Sequence, residues 1–110
     1  MGITFRKAPV GRHKEAVELL QAGRAKEAAV MLADLAGADP FNANICVDLG
    51  RALMALDMAD QAIIAARQAV ELDDRNVGAF MLLAQAFERK GLAVEASQAL
   101  RRAQLLDTAP

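Results

Sequence analysis

The chain holds few residues able to do chemistry: one histidine, His13, one cysteine, Cys46, and an acidic pair, Asp73–Asp74. Acid–base or nucleophilic catalysis needs at least two groups within hydrogen-bond reach of each other. His13 belongs to one helical stretch and Cys46 to an apolar column of another. A thiol in such a column reads as a small buried hydrophobe rather than a nucleophile. The acidic pair falls at a turn. No His, Cys or Asp cluster has metal-ligand spacing, and no glycine-rich phosphate loop follows a strand. The residues therefore predict no enzyme, no metal and no cofactor.

Composition narrows the partners. The 110 residues carry 13 basic and 14 acidic side chains, a net charge of −1, so no bulk field favours nucleic acid or an anionic membrane surface. No apolar run is long enough to span a bilayer, and the residues show no signal-peptide pattern. The single cysteine cannot close an internal disulfide, which fits a reducing compartment. Arginine outnumbers lysine, as in GC-rich bacterial coding sequences. These features predict a cytoplasmic, bacterial protein.

The elements that must position any site repeat along the chain. At a shift of 34 residues, Gly23, Asp57 and Gly91 coincide, as do Asp39, Asp73 and Asp107. Leu19, Leu53 and Phe87 form another column, and Glu27, Gln61 and Glu95 a further one. Three units follow, 9–42, 43–76 and 77–110, behind a lead-in of residues 1–8. Alanine-rich composition without Val/Ile/Thr runs makes each unit a pair of helices. The first helix stops at the Gly23, Asp57 or Gly91 column, where a left-handed residue is wanted. The second stops at "ADP", "LDD" or "LDT". Asn42 and Asn76 stand where a side-chain oxygen can cap the next helix.

Gly50 interrupts a helix at a cost of about 0.5–1 kcal/mol relative to alanine. One period away on either side are Ala16 and Ala84. This small column predicts that the second helix of each pair crosses the first at close range, meeting Ala28, Ala62 and Ala96. Those six positions are the expected structural packing residues.

These residues resemble the tetratricopeptide repeat, a helix–turn–helix of 34 residues. The likeness covers residues 9 to 110. It is carried by Cys46, Leu49, Gly50, Leu53, Ala62, Ala66 and Ala69, then by Phe80, Leu83, Ala84, Phe87, Ala96, Leu100 and Ala103. The first unit matches at Ala16, Leu19, Ala28, Leu32, Leu35 and Pro40 but has Arg12 and Glu15 at its apolar positions. Ala66 replaces a bulkier residue, whose space Ile63 and Ile64 are expected to fill. Ser97 and Gln104 replace Ile63 and Val70 one period on, which predicts that the stack ends there. The resemblance implies an all-α, right-handed superhelix, an α-solenoid of three units.

The resemblance also implies a concave groove lined by the first helices, holding a peptide or amphipathic helix of a partner. Carried onto this chain, its residues are His13, Val17, Asn44, Val47, Asp48, Arg51, Met54, Met81, Leu82, Gln85 and Arg89. For Leu82 a core role is equally open. Relatives that grip acidic chaperone tails use Lys, Asn, Asn, Lys and Arg where this chain has His13, Val17, Asp48, Gly78 and Leu82, so that role is not expected. The period of 34 and the neutral charge weigh against an RNA-reading repeat. The favoured expectation is an adaptor or chaperone-like protein. The alternative is a self-assembling scaffold that oligomerises through its N-terminal segment, with Ile3, Phe5 and Val10, and through the surfaces of the repeats.

Overall fold

The computed structural model describes residues 10–108. Six helices follow one another: α1 (Val10–Gln21), α2 (Ala25–Ala38), α3 (Ala43–Ala55), α4 (Ala59–Leu72), α5 (Val77–Arg89) and α6 (Ala93–Asp107). No strand occurs among the described residues. Of the residues named for self-assembly, Ile3 and Phe5 lie outside them and Val10 opens α1.

The helix ends are fixed by local chemistry. At each hairpin turn an equivalent backbone bond closes the first helix. Arg24 N–H donates to Leu19 O, Met58 N–H to Leu53 O, and Leu92 N–H to Phe87 O, each at 2.9 Å. That closure needs one residue with positive φ. Gly23 and Gly91 adopt it at 80° and 77°, and Asp57 adopts it at 61°. At the start of α3, the Asn42 side chain accepts from the N–H groups of Asn44 and Ile45, and Asn76 does the same from Ala79 at the start of α5. Both asparagines satisfy donors that a helix start leaves free.

The pairs stack in order, each second helix packing on its own first helix and on that of the next pair. Neighbouring first helices also touch, α1 on α3 and α3 on α5, whereas α2, α4 and α6 make no backbone-level contact with one another. The chain therefore has a tight inner layer and a splayed outer one. Its core runs as two adjoining clusters, one centred on Ala16, Ala28, Leu32 and Leu35, the other on Ala62, Ala66, Leu82, Leu83 and Phe87.

Gly50 is a close-approach position, and Leu82 is its main neighbour. A Cβ at residue 50 would collide with Leu82 Cδ2 from α5, and would stand 3.4 Å from the Ala62 carbonyl oxygen and 3.5 Å from Ala65 Cβ. The paired helix is thus near, as its small residues require, but the atom that a side chain at residue 50 would displace belongs to the next hairpin. Leu82, 2% exposed, fills the notch. This corrects its placement among groove residues: it is core, because the first helices interlock through it. Ile64 is a second departure. It is exposed on the outer layer, and buried Ile63 alone flanks Ala66. Ser97 and Gln104 are exposed on α6, where no further helix follows among the described residues.

Asp57 carries the strain of this design. A left-handed residue with a side chain costs roughly 1–2 kcal/mol, and the exposed ion pair of Asp57 with Arg89 returns at most about 1 kcal/mol. Asp57→Gly is expected to stabilise the fold by about 0.5–1 kcal/mol. Urea denaturation followed by circular dichroism measures it, and a lowered midpoint would show that the ion pair outweighs the strain.

Candidate functional site

The period that buries Leu82 places Asp48 at the equivalent position of the preceding unit, and Asp48 is also buried, 9% exposed. A carboxylate there must be paired or hydrogen-bonded. Two helices supply the partners. His13 of α1 places Nε2 2.6 Å from Asp48 Oδ2, and Arg51, one turn along α3, donates Nη1–H to Oδ1 at 2.9 Å. The short contact assigns a proton to His13 Nε2, which donates to the carboxylate. Both Asp48 oxygens are engaged, and no buried side-chain polar atom lacks a partner among the described residues.

A separate pair of asparagines ties α3 to α5. Asn76 Nδ2–H donates to Asn44 Oδ1 at 3.0 Å while Asn76 Oδ1 caps the helix. Gly78 leaves room beside them. A Cβ there would stand 3.3 Å from Arg51 Nη2 and 3.5 Å from Val47 Cγ1, so the arginine crosses the start of α5 at close range. His13, Val17, Asn44, Val47, Asp48 and Arg51 line one open hollow of about 610 Å³ together with Lys14, Asn76 and Gly78. Val47 forms its floor, almost wholly buried.

A second hollow of about 580 Å³ lies further along the same inner layer, lined by Met54, Ala55, Gln85, Glu88 and Arg89. Arg89 Nη1–H donates to Asp57 Oδ1 at 2.8 Å on the exposed surface. On α5, Met81 is 46% exposed, a large apolar side chain open to solvent. Ten of the eleven expected groove residues therefore line these hollows or, as Met81, stand exposed on α5, and Leu82 does not. The second role of Asn76 was not anticipated from its cap position. Its signal is the pairing of Asn44 with an asparagine 32 residues on.

His13 and Cys46 do not meet. Cys46 lines a different hollow, between α2 and α4, and burial pushes its thiol up from the ordinary value, opposed in part by a backbone hydrogen bond. Among the described residues no group of three His, Cys, Asp or Glu side chains could hold a metal ion, and no helix is long and apolar enough to cross a membrane.

Removing the central carboxylate tests the network. Asp48→Ala deletes two charge-assisted bonds but leaves His13 and Arg51 with access to water, so the expected loss is about 1–2 kcal/mol rather than that of a fully buried pair. Thermal unfolding measures it. A loss near zero would show that Asp48 holds neither neighbour in place.

Comparison with known proteins follows the same architecture. Residues 19–66 match the tetratricopeptide repeat family. The type III secretion chaperone SycD of Yersinia enterocolitica, solved in complex with a peptide of the translocator YopD, is similar with a TM-score of 0.85 and 22% identity, over 89% of this chain and 75% of that one. A MamA structure (MSR-1 C2) gives 0.80 and 27%, over 87% and 55%. MamA from Desulfovibrio magneticus RS-1 gives 0.82 and 23%, over 87% and 54%. The chain thus spans about half the length of these MamA chains. No curated protein matches it.

Proposed function

Since this chain is a stack of helical pairs of the tetratricopeptide repeat type, we propose that it is a protein-interaction module whose inner layer holds a segment of a partner protein. One observation carries the reading. The inner layer presents exposed Met81 and half-buried Met54 beside polar groups held in place by Asp48, with a hollow to either side. Methionine adapts to irregular apolar shapes, and Arg51 and Asn44, each held by a side-chain hydrogen bond, supply direction to hydrogen bonds beside exposed Gln85. An amphipathic helix or extended peptide meets both needs. The complex of SycD with a YopD peptide gives the same fold a peptide ligand, which supports the reading by analogy. An adaptor or chaperone-like role in the cytoplasm follows from it.

Arg51→Glu combined with Met81→Asp alters two exposed side chains, one of them a partner of Asp48, which keeps its bond to His13. The double variant is expected to keep its helicity and lose its partner by more than about tenfold in affinity. Proteins retained from a native lysate by the wild type and absent with the variant identify that partner. Equal retention by the folded variant would contradict binding at the inner layer.

A further inference from the structure

The outer layer carries a feature that the inner-layer reading does not use. Because α2 and α4 make no backbone contact, their C-terminal turns leave an open crevice of about 590 Å³, with Cys46 among its lining. Its apolar wall is unusual for a solvated surface. Phe41 is 82% exposed, and Leu72 across the crevice is also exposed. Gly37 sits on the α2 side with nothing within 4 Å of the place a Cβ would take. Unlike Gly50, this helical glycine answers no close approach within the described residues, and it leaves the backbone bare.

The rim is acidic. Asp39, Glu71, Asp73 and Asp74 are exposed around the ends of α2 and α4, and none is in an ion pair among the described residues. Neither helix has a basic residue in its last turn, so the negative ends of both helix dipoles are unopposed there. Two cations are near in sequence: Arg75, next to Asp74, and Arg67, one turn before Glu71 on α4, whose guanidinium lies over the Phe87 ring.

We propose that this crevice is a second docking surface, taking a cationic amphipathic helix from a partner protein. A helix fits because the space lies between two helices that a third can bridge, ridge into groove. Its apolar side meets Phe41 and Leu72, its backbone approaches at Gly37, and its Lys or Arg side chains face Glu71 in the crevice and Asp39, Asp73 and Asp74 at the helix ends beyond it. The site is separate from the inner layer, so the two readings stand or fall independently.

The test uses fluorescein-labelled amphipathic helices of Leu, Ala and Lys, with a Glu-for-Lys version as control, measured by anisotropy. The Lys helix is expected to bind more weakly as salt rises, since exposed charges are screened. Gly37→Met and Phe41→Ala both change exposed positions and are each expected to weaken binding about tenfold or more. The Arg51→Glu, Met81→Asp double variant is expected to leave it unchanged. Equal binding of the Glu helix, or indifference to both crevice variants, would overturn the proposal. So would loss of binding in the inner-layer double variant. Sedimentation as a dimer that Phe41→Ala dissolves would assign the crevice to a second copy of the chain instead.

Discussion

The stack depends on one steric fit: Leu82 of α5 seated in the notch that Gly50 leaves in α3. A side chain of even one carbon at residue 50 would occupy the space that the leucine fills. That contact joins successive pairs through their first helices, whereas Ala62 and Ala65 line the same notch from within the pair. Helical pairs of this kind cannot bury their apolar faces alone, so stability is shared between each unit and its junction with the next. The junction at Gly50 therefore sets the spacing of the inner layer, and with it the shape of the two hollows.

The same register explains the polar network. Asp48 occupies in the second unit the place that Leu82 occupies in the third. Where the third unit has an apolar residue, Leu82, the second has a charged one of nearly the same length and branching, Asp48. The carboxylate is tolerated because His13 and Arg51 reach it from two helices, and in doing so it fixes both. A packing position has thus become the anchor of the candidate site. The inner layer gains directed polar groups there, while the outer layer, splayed between α2 and α4, exposes Phe41 and Leu72 over an acidic rim.

Much of this was legible in the residues. The 34-residue period located every hairpin turn, because Gly23, Asp57 and Gly91 share a backbone conformation that few residues tolerate. The asparagine caps were legible for a similar reason: their bonds reach only two or three residues along the chain. Contacts across pairs were less so. A repeat column says which positions are equivalent, not which neighbour fills the space, so Gly50 was read against Ala62 when Leu82 presses on it harder. Leu82 and Ile64 changed sides for that reason, one into the core and one onto the surface. The bond between Asn44 and Asn76 depends on how far α5 is offset from α3, and no local pattern encodes that offset.

The most direct measurement is a double-mutant cycle at the notch, with unfolding free energies for Gly50→Ala, Leu82→Ala and both together. Alanine at residue 50 should favour the helix by about 0.5–1 kcal/mol but collide with a buried leucine. The account predicts that Gly50→Ala destabilises the native sequence and stabilises the Leu82→Ala background, a coupling of about 1 kcal/mol or more. Gly50→Ala stabilising both backgrounds equally would mean that Leu82 does not press on the glycine, and that something else sets the spacing of the stack.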